Sequence, residues 1–307
     1  MAMSANLTKN ILKGNMRAVA TLMTLIENND PTAKAVLKAL YPHTGKAHVV
    51  GVTGAAGTGK SSLIDRMTAE YRRRKKSVGI LAVDPSSLFS SGALLGDRIR
   101  MRTHFADPGV FIRSFATRGA MGGVSAALRN AIHLLDGAGK DVIFAETIGV
   151  GQDEIDIAAL VHMVVVVLIP EMGDEVQGMK AGLTEIADIF VVNKADLPGA
   201  DVTVQQLRAL FSGCEIIPTS ALNDDGTRRL VDVIDKHRVT SLGNGHYQRK
   251  RLSLCREELL ALLRQRLVTR VTKKIDAAAL DERVERIADR RTDPYSEADA
   301  IARKLGF

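Results

Sequence analysis

The most constraining stretch of the chain is Gly54-Ala55-Ala56-Gly57-Thr58-Gly59-Lys60-Ser61, entered directly from an apolar, Val-rich run over residues 49–53. It matches G-x-x-x-x-G-K-[ST], with the strand-like sequence before it and the helix-forming sequence after it that this motif requires. Its glycines let backbone N–H groups close around phosphates with no Cβ in the way. The helix that follows adds its positive end. Lys60 is expected to bridge the β- and γ-phosphates and Ser61 to ligate Mg²⁺. Gly54, Ala55, Ala56, Gly57, Thr58 and Gly59, with Lys60, Ser61 and Ser62, are thus expected to form a P-loop around a nucleotide. ATPases with a second, signature lysine carry it where this chain has Ala55.

The rest of the chain supplies a fold for such a loop. Short Val- and Ile-rich runs at 48–53, 78–84, 110–115, 142–146, 163–169, 189–193 and 215–220 show little polar alternation. Strands buried on both faces of a mainly parallel sheet read this way. Segments 62–76, 123–135 and 202–211 have the pattern of crossover helices. The fold class is therefore α/β: a P-loop NTPase sheet flanked by helices, over residues 45–242. A helical extension precedes it at 1–44, with Ile11, Ala18, Leu22 and Leu25 on one helical face. A helical arm follows at 243–307, where Leu252, Leu259, Leu263, Leu267 and Val271 recur at helical spacing. Core packing is the ordinary reading of such a stripe, and a dimerisation arm is the functional one.

Composition narrows the partners. At 46% hydrophobic and 25% charged, the chain is that of a soluble globular protein. Its longest apolar run, 163–170, is far too short to span a bilayer. Lys9, Lys13 and Arg17 without nearby acids faintly resemble a transit peptide, but the apolar face favours a structural helix. Trp is absent and aromatics make up 4%, which argues against base-stacking platforms, so no nucleic acid is expected. The net charge of +7 reads either as a Lys/Arg-rich surface or as affinity for an anion, which nucleotide phosphates alone would satisfy. Cys214 and Cys255 are far apart with no CxxC pair, so a disulfide framework is not expected and a cytoplasmic location is.

Mg²⁺ needs hard oxygen ligands and takes few carboxylates. Asp84, Asp97 and Glu146 fall at strand ends or in the loops after them, with Glu146 where a Walker-B carboxylate belongs. A single strand-terminal acid is often only a cap. Three beside a P-loop favour a metal site completed by Ser61. The base is read further along. Asn193-Lys194-Ala195-Asp196 is an N-K-x-D at a strand end, and the Asp196 carboxylate suits the N1–H and 2-amino donors of guanine. Adenine would leave that carboxylate unsatisfied. The Lys194 stem can lie along the base, Asn193 can tie this loop to the P-loop, and a backbone N–H of Ser220-Ala221-Leu222 can reach guanine O6. In Ras-like GTPases a catalytic Gln stands four residues after the Walker-B acid. Here that position is Val150, and the nearest amide is Gln152. Hydrolysis is therefore expected to be slow unless a charge such as Lys180, or a partner, completes the site.

The series GAAGTGKSSLID, LAVDPSS, LLGDRIRM, FIRSFATRGAMGGV, ETIGVGQDE, EMGDEVQGMK and NKAD resembles the MeaB/ArgK GTPases, the family of the methylmalonic aciduria type A protein. The resemblance runs from about residue 8 to the C-terminal DPYSEADA. It implies a metallochaperone-type GTPase that attends an adenosylcobalamin-dependent acyl-CoA mutase, gating cofactor loading and protecting or reactivating the mutase. By it, Asp84, Asp97 and Glu146 match the Mg²⁺-site acids, 149–152 matches switch II, and Lys180 matches a switch lysine in the mobile segment 173–180. It also implies a homodimer built by the C-terminal arm. Ala56 replaces a usual Pro, Ser90-Ser91-Gly92-Ala93-Leu94-Leu95 replaces TGGSIL, and Asp153 replaces a usual Ser. These departures remove no ligand and bear on switch kinetics and on which mutase is the client. That client is methylmalonyl-CoA mutase or a relative such as isobutyryl- or 2-hydroxyisobutyryl-CoA mutase.

Three other readings share the P-loop, one of them a basic RNA-binding GTPase, for which the sequence shows no appended RNA-binding fold. A nickel-insertion chaperone GTPase should bring a Cys/His cluster, which seven His and two dispersed Cys do not form in sequence. A small-molecule P-loop kinase should take ATP, against NKAD. Asp196→Asn separates guanine from adenine recognition: the exchange is expected to relax the preference for GTP in competition binding. Discrimination between GTP and ATP that survived it unchanged would remove Asp196 as the base reader.

Overall fold

The computed structural model describes residues 2–84, 101–116, 123–147, 157–170, 186–272, 274–304 and 306. The Val- and Ile-rich runs form β1 His48–Thr53, β2 Val78–Asp84, β3 Val110–Ala116, β4 Val142–Thr147, β5 Met163–Leu168, β6 Ile189–Val192 and β7 Glu215–Pro218. They join in one seven-stranded sheet of order β3-β2-β4-β1-β5-β6-β7, every neighbouring pair parallel. This bears out the α/β class. β1 lies at the centre, and the chain leaves it to build first one side of the sheet and then the other. Ligands of open α/β sheets bind at such a switch point, beyond the strands' carboxyl ends.

Burial on both faces explains the missing polar alternation. Val49, Leu81, Ile143, Val164 and Val166 join one apolar cluster, and Val50, Val52, Phe144, Val165 and Val167 join the other. Helix α4 (Lys60–Arg73) covers the second face through Leu63, Ile64, Met67 and Tyr71, beside Leu230, Val231 and Ile234 of α7 (Thr227–Gly243). The first face is covered by α5 (Gly123–Gly137) and α6 (Ala200–Leu210). Leu128, Ala131, Ile132, Leu134 and Leu135 of α5 are all buried, because the N-terminal helices pack on it from outside.

Those N-terminal helices differ from the single expected stretch. They are α1 Ala2–Leu12, α2 Met16–Glu27 and α3 Pro31–Leu40. The chain breaks between the first two because Gly14 takes a φ of +78° and Asn15 caps α2, accepting from the N–H groups of Arg17 (2.9 Å) and Ala18 (3.2 Å). Ile11, Ala18 and Leu22 are nonetheless buried, in the cluster that contains Val49. Between α3 and β1 the backbone is pinned. The Asp136 carboxylate of α5 accepts from the N–H groups of Gly45 (2.5 Å), Lys46 (3.1 Å) and Ala47 (2.9 Å).

Met1–Lys250 form one compact unit and Arg251–Phe307 a second. Helix α8 (His246–Thr272) begins in the first and runs into the second, which adds α9 (Ala277–Ala288) and α10 (Pro294–Lys304). Within the second unit the buried Glu297 carboxylate accepts from Arg283 and forms an ion pair with Arg286. The leucine stripe does not pack as an ordinary core: Leu252 and Leu259 are each 59% exposed, and Leu263 and Leu267 are 45% and 50% exposed. No helix among the described residues is long and apolar enough to cross a membrane.

At the end of the sheet away from the P-loop, His48 opens β1 with 2% exposure. It stacks on His162 at 6.1 Å, and Tyr247 of α8 covers the other ring at 4.7 Å. Burial, followed by electrostatic interaction with His162, Arg238 and His237, pushes the His48 pKa well below its ordinary value. The folded chain therefore keeps His48 neutral where the unfolded chain takes up a proton at about pH 6.5. Stability is unaffected by this group above that pH and falls as pH drops below it. His48→Leu is expected to flatten the loss of urea-unfolding midpoint between about pH 6.5 and pH 5. Parallel losses in wild type and variant would exclude His48 as the source.

Candidate nucleotide-binding site

The loop after β1 is shaped by close backbone approaches. Gly54 has a φ of +140°, and a Cβ there would lie 2.1 Å from the Val167 carbonyl oxygen of β5, so no side chain fits. Gly59 has a φ of +85° and caps α4 without any side-chain bond to the helix. The first N–H groups of α4 consequently face the loop as an anion-binding end. Lys60 is 5% exposed, and its Nζ donates to the carbonyls of Gly54 (2.7 Å) and Ala55 (2.9 Å), holding the ammonium across the loop. Thr58, fully buried, closes the turn by donating from Oγ1 to Ala55 O at 2.9 Å.

β4 lies between β1 and β2, with Glu146 in register with Val52 and Ala82, and this delivers the carboxylate beside the P-loop. Ser61 Oγ donates to Glu146 Oε1 at 2.6 Å, and both residues are buried. A hydroxyl and a carboxylate converging at a helix N-terminus are hard oxygen donors, which fits Mg²⁺. Behind them Thr147 Oγ1 donates to Thr53 Oγ1 at 3.0 Å and ties the ends of β4 and β1 together. Asp84 closes β2, its backbone partnered with Ala116, and its side chain lies outside the described residues. Asp97, Gln152 and Lys180 lie wholly outside them.

On the base side, Asn193 was expected to end β6 but lies just past it, its N–H donating to Leu168 O at 2.8 Å. Its buried amide makes three contacts. Nδ2 donates to Thr58 O at 2.8 Å, while Oδ1 accepts from Thr219 Oγ1 (3.2 Å) and the Ala221 N–H (3.1 Å). One side chain thus joins the P-loop, the Asn193–Asp196 loop and the Ser220–Leu222 loop. Lys194 takes a left-handed φ of +57°, and Ala195 N–H donates to Thr219 O at 2.9 Å, so the two base-side loops run together. Asp196 is exposed, Ser220 and Ala221 are buried, and Leu222 is exposed. Ser62 is exposed on the first turn of α4, as are Ala56 and Gly57 at the loop's crest.

Several contributors were not singled out in sequence. Thr53 and Thr147 are hydroxyls at strand ends, and Thr219 acts through its hydroxyl and its carbonyl. Arg66 of α4 donates to the carbonyls of Ala221 (2.8 Å) and Leu222 (3.2 Å) and gave no sequence signal. Removing the three-way amide should loosen both halves of the site. Asn193→Ala is expected to weaken GDP binding by at least about tenfold, from the loss of buried hydrogen bonds. Stopped-flow release of a fluorescent GDP measures this, and an unchanged rate would show the loops hold without the amide.

Comparison with known proteins places the chain in a family. The model of the family described as "Methylmalonyl Co-A mutase-associated GTPase MeaB" matches residues 19–276. A protein of Pyrococcus horikoshii provisionally named a GTPase is 45% identical over 312 residues, covering 97% of each chain. The mitochondrial methylmalonic aciduria type A homolog of Caenorhabditis elegans is 37% identical over 205 residues, 62% of this chain and 51% of that one. In overall fold, the crystal structure described as LAO/AO transport system kinase superposes with a TM-score of 0.75 over 100% of this chain and 99% of that one, at 23% identity. The chain belongs to the MeaB family of P-loop GTPases, binding GTP and GDP with Mg²⁺ and hydrolysing GTP to GDP and phosphate.

Proposed function

We propose that this GTPase acts as a chaperone of an adenosylcobalamin-dependent acyl-CoA mutase, methylmalonyl-CoA mutase or a relative, gating cofactor loading and protecting or reactivating the mutase. The observation that carries this reading is the match to a mutase-associated GTPase family along residues 19–276. The names of the nematode relatives point the same way.

In this reading the P-loop N–H groups and the end of α4 bind the phosphates, and Lys60 swings from its loop carbonyls onto the β- and γ-phosphate oxygens. Ser61 and Glu146, with Asp84 and Asp97, would hold Mg²⁺, which would supply positive charge against that developing on the phosphates. Asn193, Lys194 and Asp196, with Ser220, Ala221 and Leu222, hold the guanine. Gln152 and Lys180 take part in orienting water and stabilising charge when the mutase engages the switch segments. The exposed Leu252, Leu259, Leu263 and Leu267 fit a homodimer formed through the C-terminal helices. Cys214 and Cys255 as free thiols fit a reducing cytoplasm.

The test is GTP turnover by the purified chain, with ATP as control, alone and with an adenosylcobalamin-dependent acyl-CoA mutase of the same source. Slow hydrolysis accelerated by the mutase, and abolished with or without it by Lys60→Ala, is the expected result. A turnover rate that no such mutase changes would overturn the chaperone role and leave the GTPase.

A further inference from the structure

The arginines near the end of α4 all pair with carboxylates: Arg72 with Asp107, Arg73 with Glu70 and Asp224, and Arg74 with Glu70, Asp232 and Asp235. Arg66, earlier on the same helix and half-buried, does something else. Its Nε donates to Ala221 O at 2.8 Å and its Nη2 to Leu222 O at 3.2 Å, so one cation binds two consecutive peptide carbonyls.

A trans peptide is planar, with its C=O and N–H pointing to opposite sides. Fixing Leu222 O therefore fixes the Asn223 N–H, which donates to Ser220 Oγ at 3.3 Å. Fixing Ala221 O likewise fixes the Leu222 N–H, turning it away from α4. Among the described residues no protein acceptor takes that N–H, whereas the Ala221 N–H goes to Asn193 Oδ1 at 3.1 Å. A cation on the carbonyl also polarises the peptide and strengthens its N–H as a donor.

We propose that Arg66 is a positioning residue for guanine recognition: by gripping the Ala221 and Leu222 carbonyls it aims the Leu222 N–H at the 6-oxo group of the base. The inference rests on the reading that the Ser220–Leu222 loop faces the base. It gives α4 two tasks, since the helix that presents Lys60 and Ser61 to the phosphates also sets the loop that reads the far side of the purine. Base fit and phosphate grip are then coupled through one rigid element.

The experiment measures affinity and release rate for three nucleotides on the full chain. GDP is the reference. Inosine diphosphate keeps the 6-oxo group and lacks the 2-amino group; 6-thioguanosine diphosphate keeps the 2-amino group and replaces the oxygen with sulfur, a weak acceptor. Wild type is expected to bind both analogues several-fold more weakly than GDP, on the order of fivefold per hydrogen bond. Arg66→Ala is expected to release GDP faster by about the same factor and to lose most of the sulfur penalty while keeping the inosine penalty. Arg66→Lys, retaining a cation that can reach one carbonyl, falls between. Asp196→Asn should do the reverse, losing the inosine penalty and keeping the sulfur one. If Arg66→Ala folds poorly by thermal unfolding, Arg66→Lys and Arg66→Gln carry the same comparison. A full sulfur penalty in the Arg66 variants overturns the role of Arg66 and leaves the base loop in place. No sulfur penalty in wild type overturns the assignment of the loop, and this inference with it.

Discussion

The buried amide of Asn193 is the contact on which the site's geometry depends. Its donor end grips Thr58 O in the P-loop, and its acceptor end gathers Thr219 Oγ1 and the Ala221 N–H. A primary amide has donor and acceptor at opposite corners of one plane, so it can bridge backbone groups of opposite polarity. A carboxylate would repel Thr58 O, and an aliphatic side chain would leave buried polar groups without partners. Gly59 belongs to the same device, because a Cβ there would come within 2.4 Å of the amide nitrogen.

Around that hub the sheet order does the placing. With β1 between β4 and β5, the P-loop emerges beside Glu146 on one side and Asn193 comes up one strand beyond on the other. The Ser61 and Glu146 oxygens and the loops joined by Asn193 thus flank a single helix N-terminus. The same helix packs Leu63, Ile64, Met67 and Tyr71 into the core, so the anion-binding end cannot tilt without disturbing the sheet.

Much of this was legible in the sequence, for a physical reason. Strands buried on both faces must be continuously apolar, and P-loop and NKAD chemistry admits few residue types, so β1, β4 and Lys60, Ser61 and Glu146 could be located from composition and spacing. Strand ends were less legible: Asn193 and Thr219 sit beyond β6 and β7 because their side chains serve the loops, and apolar pattern does not register that switch. The break before Asn15 was hidden because burial periodicity continues across it through Ile11, Ala18 and Leu22. The exposed leucines of α8 show the converse limit, since periodicity says that a face is apolar and not what covers it. Arg66 was illegible altogether: it binds carbonyls, and any residue supplies those.

The joint between α3 and β1 has a consequence for how the molecule comes apart. Read by composition, Thr44-Gly45-Lys46 separates a helical prefix from a nucleotide-binding core. In the fold it is a turn where the successive N–H groups of Gly45, Lys46 and Ala47 close on the Asp136 carboxylate, and α5, which carries Asp136, is itself sandwiched between sheet and prefix. Prefix and core therefore share one oily interior, and neither has a finished surface without the other. A protease nick at Gly45 would yield two fragments that stay together and melt together. A chain begun at that point would carry every nucleotide motif and still present the outer side of α5 bare to water.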